Sequence, residues 1–249
     1  MFKLKLRKLN ASNSTNKELK SLLNNNKLKS GDGIWTLNQT DGFGQRGSAW
    51  KAQANKHLAL SFFYKFENLN PKWIFSISSA CSLAVLETLS HFNVNRLSVK
   101  WPNDILAGNK KICGILAENQ INELKIKSIV GIGININSRH ESTNNFIYPS
   151  VSLMELIEKE FDVLTVIEMY ISKFSVYYSK LINNKIDIDN ISKNLYGLEK
   201  KVSFRTNYLK KKNNSNNLYK IINLNKDGTL RVEDSNGQKI NLSASEISN

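Results

Sequence analysis

Residues 99–118 read V-K-W-P-N-D-I-L-A-G-N-K-K-I-C-G-I-L-A-E, a string that admits few folds. Val99, Lys100 and Trp101 are strand-like, and Pro102 has no N–H to donate, so the ladder ends there. Asn103 and Asp104 follow the break, a short amide beside a carboxylate. Ile105 to Ala107 resume an apolar run, Gly108-Asn109 reads as a turn, and residues 111–117 run back as a second apolar strand. With Gly108 and Asn109 as the turn, Leu106 faces Lys111 and Asp104 faces Cys113. Strand alternation then puts Asp104, Leu106, Lys111 and Cys113 on one face and turns Lys110 to the other. Asp104 and Lys111 become diagonal neighbours, roughly 7–8 Å apart before their side chains reach. A carboxylate and an ammonium converging beside Asn103 suit a phosphate and a metal ion. A surface hairpin with an incidental ion pair has the same spacing.

The hairpin needs a core around it, and 249 residues suffice for one good core and a small second domain. A hydrophobic content of 41% with 9% aromatics fits a soluble globular protein. No apolar run reaches about 18 residues, so no membrane span is expected. The first ten residues alternate and read as a strand, not a signal peptide. Cys81 and Cys113 lie in apolar contexts without a C-x-x-C pattern, as reduced core thiols of a cytosolic protein do. The net charge of +14 invites a nucleic-acid partner. The lysines are spread along the chain, however, and the one cluster, Lys210 to Lys212, fits a solvated loop. His57, His91 and His140 have no partners at metal-ligand spacing.

Other stretches carry weaker signals. Ser14-Thr15-Asn16 precedes a helical run and reads as a helix start, with Thr15 and Glu18 forming a capping box. A helix N-terminus also offers free N–H groups, so the same hydroxyls and amide can face a ligand. Residues 34–37 are strand-like. The run Q-T-D-G-F-G-Q-R-G-S-A-W at 39–50 follows. Its glycines allow close backbone approach and Arg46 offers a phosphate partner, although a flexible surface loop looks similar. It does not follow a strand and open a helix as a dinucleotide fingerprint does. Residues 58–66 read as an apolar strand and 74–92 as a buried helix. Residues 126–130 lead into G-I-G-I-N-I-N, where Asn135 and Asn137 alternate with Ile134 and Ile136. Residues 163–183 are helical. Residues 202–204, 219–224, 229–233 and 239–242 are strand-like, with hairpin turns at Asp227-Gly228 and Asn236-Gly237. By themselves those last four strands read as a small all-β adaptor.

Taken together, K-W-P-N-D, a lysine seven residues after the aspartate, and G-I-L-x-E closely resemble the signature of biotin–protein ligases. The family's other motifs occur in order: S-T-N at 14–16, the glycine loop, G-x-G-x-N at 131–135, and a C-terminal barrel. The family loop reads Q-x-x-G-R-G-R-R-G followed by a tryptophan. Gln39, Gly42, Gly44, Arg46, Gly47 and Trp50 agree with it, while Phe43 and Gln45 stand where arginines are frequent. The terminal S-A-S-E-I-S resembles G-G-E-I-S.

The resemblance implies an α+β fold. A mixed β-sheet flanked by helices, of the class II synthetase-like biotin/lipoate ligase type, would span residues 1–190. A small SH3-like β-barrel would follow over 195–249. It also implies activation of biotin by ATP as biotinyl-5′-AMP, then transfer to a specific lysine of a biotin carboxyl carrier protein. Lys111, Asp104 and Arg46 carry over as catalytic. Ser14, Thr15, Asn16, Gln39, Gly42, Gly44, Lys111 and Gly114 carry over as biotin-binding. Gln45, Arg46, Trp50, Lys100, Asn103, Asp104 and Asn135 would hold ATP and the adenylate, with Asp104 also at Mg²⁺. Gly114 and Glu118 complete the central pattern. The motif-bearing strand starts at the first residue, so the N-terminal DNA-binding domain of some members is expected to be missing. Every adenylate motif lies before Asn137, leaving none to the barrel. Lipoate–protein ligases share the fold and the adenylate chemistry, but K-W-P-N-D with G-x-G-Q-R-G favours biotin. A basic nucleic-acid-binding protein is the reading from a different class.

Overall fold

The computed structural model describes residues 2–50, 53–139, 149–204 and 218–245, the side chain of Arg46 apart. His140, Lys210 to Lys212 and the last three residues of the S-A-S-E-I-S motif lie outside these. The chain runs β1 Lys5–Lys8, α1 Thr15–Asn24, β2 Asp32–Thr36, the short strands β3 Gly42–Phe43 and β4 Ala49–Trp50, and β5 His57–Phe66. Then come α2 Phe75–His91, β6 Leu97–Lys100, β7 Asp104–Ala107, β8 Lys110–Asn122 and β9 Lys125–Asn135. Helices α3 Leu153–Ile157, α4 Val163–Ile182 and α5 Ile188–Lys193 follow. Strands β10 Lys201–Ser203, β11 Leu218–Leu224, β12 Leu230–Glu233 and β13 Lys239–Leu242 close the chain.

Seven strands form one mixed sheet in the order β1-β2-β5-β9-β8-β7-β6, parallel only between β1 and β2. The side-chain period of two sorts its faces. Leu58, Leu60, Phe62 and Tyr64 of β5 join Val130, Ile132 and Ile134 of β9 in the main core under α2 and α4. The alternate residues turn to the other face. There Ile34, Phe63 and Ile129 pack against Leu19 and Leu23 of α1 at one end, and the rest of that face is free to line a site.

Helix α4 shows why the elements form where they do. Asp162 caps it by accepting from the Thr165 N–H at 3.0 Å. Its buried residues Val166, Ile167, Tyr170, Phe174, Tyr177 and Leu181 recur at helical spacing, giving one apolar stripe. Phe174 sits among rings, with centroids 5.0 Å from Phe62 and 5.6 Å from Tyr170. Helix α2 is apolar nearly all round. With the turn before it, Pro71–His91, it has a mean hydropathy of 1.4, enough by length and composition to cross a bilayer. Yet 67% of that window is buried inside the protein, which makes it a core helix.

The four C-terminal strands form an antiparallel sheet in sequence order, with Gly228 and Gly237 at positive φ in its two tight turns. Tyr219, Ile221, Leu224 and Leu230 belong to the same buried cluster as α2 and the large sheet. The Trp101 indole N–H donates to the Gly228 carbonyl at 2.9 Å, and the backbone of Val99 bonds that of Asn194 and Tyr196.

This packing makes a plain comparison. Phe174→Ala empties a ring-sized site and is expected to cost about 3–5 kcal/mol of unfolding free energy. Val176→Ala, on the exposed face of the same helix, should stay within about 0.5 kcal/mol. Urea denaturation of both variants checks this, and equal losses would contradict the assignment of faces.

Candidate active site

The site is built on the β7–β8 hairpin. Strand β6 ends at Lys100, residues 101–103 form the turn at the proline, and β7 begins at Asp104, which pairs with Lys100. Leu106 pairs with Lys111 as its position in the hairpin requires, but Asp104 pairs with Gly114 and not with Cys113. A β-bulge at Ile112 supplies the extra residue. Asp104, Leu106 and Lys111 therefore share a face, whereas Cys113 turns with Ile112 into the main core. The bulge has a visible cause. Lys111 leaves the β7 ladder partly to pair with residues 149–151, its N–H donating to Pro149 and its carbonyl accepting from Val151.

The result is a short ion pair, Lys111 Nζ to Asp104 Oδ1 at 2.7 Å, with the two side chains 28% and 17% exposed. A pair this shielded contributes little net stability, because desolvation offsets the attraction. Lys100 stands beside it. Burial pulls the Lys100 ammonium below its usual range; Asp104 opposes that and Lys111 adds to it. Asn103 donates to the Ile115 carbonyl, fixing the turn to β8.

Next to the pair lies a polar network rooted on β5. Ser14, not Thr15, caps α1, its hydroxyl accepting from the Lys17 N–H. No capping box between Thr15 and Glu18 forms, because Thr15 is already the first helical residue and its hydroxyl faces inward. The Gln39 carbonyl oxygen accepts from the Thr15 N–H at 2.9 Å and lies 3.1 Å from its hydroxyl. Ser61, fully buried, bonds the Thr15 hydroxyl and donates to Asn16 Oδ1, each at 2.7 Å. The Asn16 amide donates to Glu118, which also pairs with Lys20. Ser61 was not singled out from the sequence. The signal was there, as the lone hydroxyl in an aromatic and aliphatic strand.

Over this floor lies the glycine loop, folded as the β3–β4 hairpin around a 3₁₀ turn at Gln45–Gly47. Trp50 from that loop lies flat on the sheet. A methyl group on Gly133 would meet the indole at 2.6 Å, and one on Gly114 at 3.0 Å, so glycine here is a matter of space. Lys111 Nζ sits 5.3 Å from the centre of the same ring.

A cavity of about 740 Å³ joins these parts. Ser14, Thr15, Asn16, Gln39, Gly44, Gln45, Trp50, Lys100, Asn103, Asp104, Lys111 and Gly114 all line it, as do Phe43 and Trp101. Of the other residues singled out in the sequence, Gly42 is packed between Gln39 and Trp50, and Arg46 lies in the 3₁₀ turn with its side chain outside the described residues. Asn135 is buried behind the wall, bonded to His57 and to the backbone of Lys111 and Val151. The C-terminal sheet is not motif-free packing: Val202, Ser203, Phe204, Ile221 and Leu230 form part of the cavity wall. That contribution could not be read from a stretch whose pattern is only alternation. Cys81 and Cys113 are unpaired, buried thiols, Cys81 pushed up to about 12 by burial and Cys113 raised for the same reason.

Comparison with known proteins agrees with this geometry. The model of the biotin/lipoate A/B protein ligase family matches residues 9–135, about half of the chain. The bifunctional ligase/repressor BirA of Escherichia coli is 34% identical over 113 residues, covering 45% of this chain and 35% of that protein. The biotin–[acetyl-CoA-carboxylase] ligase of Mycobacterium tuberculosis is 30% identical over 118 residues, 45% of this chain and 43% of its own. These matches thus span well under two thirds of the relatives. Among solved structures, the biotin protein ligase of Aquifex aeolicus in complex with biotin and ATP superposes with a TM-score of 0.78 at 26% identity. That match covers 99% of this chain and 98% of the other.

The floor network gives a test that needs no ligand. Ser61→Ala leaves the buried Asn16 oxygen without its donor, which should cost about 1–3 kcal/mol of stability. A lower urea midpoint at unchanged slope is the expected reading. A variant as stable as the parent would mean that the hydroxyl chain is incidental.

Proposed function

The chain belongs to the biotin/lipoate A/B protein ligase family, and on that footing we propose that it is an ATP-dependent biotin–protein ligase. It would join biotin to AMP and pass the biotinyl group to a lysine of a biotin carboxyl carrier protein. The observation that carries this reading is the juxtaposition of two chemistries on one cavity face. Thr15, Asn16 and Gln39 present paired donors and acceptors suited to an amide-like ring. Lys111, beside Asp104 and Lys100, presents positive charge where a carboxylate and a phosphate would meet. The names of the relatives from Mycobacterium tuberculosis and Aquifex aeolicus support biotin over lipoate, as do the K-W-P-N-D and G-x-G-Q-R-G motifs.

A free carboxylate is a poor acyl donor, so the acid must first be activated. One biotin carboxylate oxygen attacks the α-phosphorus of ATP. The bond from that phosphorus to the bridging oxygen breaks, and pyrophosphate leaves. Lys111 faces the charge that gathers on the non-bridging oxygens, and Asp104 holds its ammonium in place. Asp104 is the sole carboxylate on the described cavity wall, and no group of three His, Cys, Asp or Glu side chains suited to a metal occurs among the described residues. Such a site fits Mg²⁺ of the phosphate-bridged kind, held by Asp104 and nucleotide oxygens, which would neutralise phosphate charge. The mixed anhydride hydrolyses readily, and Trp50 with the glycine loop covers it from water. The carrier lysine amine then attacks the acyl carbon. AMP departs with the anhydride oxygen and the amine loses a proton, so no enzyme nucleophile is required.

Exchange of labelled pyrophosphate into ATP that depends on biotin, and not on lipoate or octanoate, is the direct test. Exchange driven by lipoate or octanoate instead would move the chain to the other branch of its family. Within that assay Lys111→Ala should lose on the order of 10²–10³ in rate, as removal of one electrostatic stabiliser does. Lys110→Ala, on the opposite face, should stay near the parent. Equal defects would contradict the register.

The loop offers a second prediction. Gln45 lines the cavity and Phe43 carries Lys17 over its ring at 5.2 Å, so neither places a charge of its own toward phosphate. One charge-assisted hydrogen bond contributes roughly 1.5–3 kcal/mol. Gln45→Arg is therefore expected to slow escape of labelled biotinyl-adenylate by about ten-fold or more. An unchanged or faster dissociation rate would show that position 45 does not reach the phosphate.

A further inference from the structure

The family pattern assigns Asn135 to the adenylate, yet every polar atom of its side chain is engaged inside the protein. One amide N–H points to the Val151 carbonyl at 3.1 Å and the other to the Lys111 carbonyl at 3.3 Å. Its oxygen lies 2.8 Å from His57 Nδ1 and, with both amide protons donated, acts as acceptor there. Both residues are buried, Asn135 at 3% and His57 at 4% exposure, on the paired ends of β9 and β5. Asn135 is not among the residues of the cavity wall.

Each of these contacts bears on the bulge. The backbone of Lys111 is bracketed by residues 149–151, and the Asn135 amide bridges that segment and β8 at the same point. A bulge opposite an otherwise regular strand has a neighbouring alternative. Shifting pairing by one residue exchanges the faces of successive side chains. Here the exchange would withdraw Lys111 from Asp104 and bring Lys110 toward the cavity. A clamp anchored on β9 and held in orientation by His57 resists that slip.

We propose that Asn135, oriented by His57, is a positioning residue that locks the β8 bulge so that Lys111 faces the reacting phosphate. The inference rests on the reading of Lys111 given above, but it makes a separate set of demands. Placement errors of about 1 Å at a reacting group can cost on the order of a hundred-fold in rate. Asn135→Ala should therefore lower kcat of biotin-dependent pyrophosphate exchange by about ten- to a hundred-fold. The dissociation constant of α,β-methylene-ATP, a non-reacting analogue, should move by less than about three-fold. In a Lys111→Ala background the same substitution should change the residual rate by less than about two-fold, because its effect passes through Lys111. A general structural defect would lower the rate in both backgrounds.

His57→Ala leaves Asn135 present but its amide free to turn, and gives the same split in weaker form where Asn135→Ala does not fold. Amide hydrogen exchange without any substrate reads the clamp itself: the Lys111 and Val151 N–H groups should exchange faster in either variant while β5 keeps its protection. That result stands whatever acid the enzyme activates, so it separates failure of the clamp from failure of the proposed reaction. A ten-fold weaker analogue affinity with kcat unmoved would overturn the proposal and return Asn135 to the nucleotide. Equal losses with and without Lys111, or unchanged exchange at Lys111 and Val151, would overturn it as well.

Discussion

The position of Lys111 depends on one extra residue in β8. Without the bulge at Ile112, alternation would run unbroken and either the apolar side chains after Lys111 or Asp104 opposite Gly114 would face the wrong side. With it, Ile112 and Cys113 both enter the core while Lys111 stays on the cavity face, 2.7 Å from Asp104. The ion pair is thus a product of backbone geometry. Core packing on one side and residues 149–151 on the other keep that geometry in place. The contribution of the pair to folding is small; its contribution to the site is a fixed direction for positive charge.

Space is the second condition. The cavity exists because β8 and β9 carry glycine where their neighbours carry branched side chains. Trp50 comes within van der Waals reach of the backbone at Gly114 and Gly133, and the Asn16 amide does so at Gly131. Those gaps let one aromatic roof and one polar floor approach the same sheet face. The floor is then made specific by hydroxyls and amides that satisfy one another through Ser61, so its donors and acceptors are oriented before a ligand arrives. The C-terminal sheet completes the wall and shares the core, which ties the small sheet to the shape of the site.

Local patterns made much of this legible in the sequence. Helices α2 and α4, strand β5 and the turns at Gly108, Gly228 and Gly237 follow from periodicity and turn chemistry, which act over a few residues. The meeting of Asp104 and Lys111 was legible too, since the turn fixes the first pairs of the hairpin. The face of Cys113 was not, because the bulge answers to residues 149–151, far along the chain. The cap of α1 was misplaced by one residue because Ser14 and Thr15 are equally good caps, and burial against Gln39 and Ser61 decides between them. The role of Ser61, the inward bonds of Asn135 and the wall formed by Phe204 and Val202 are tertiary facts. They have no short-range signature beyond a polar residue in an apolar strand.

The central claim is that this cavity joins a carboxylate to AMP. It is tested most directly by the small molecule that the protein makes when no acceptor is present. Incubation with ATP and biotin, followed by quenching and mass analysis of what the protein retains, should yield biotinyl-5′-AMP at about one equivalent per active chain, with pyrophosphate as the co-product. ADP and phosphate as products, or AMP never linked to biotin, would contradict it.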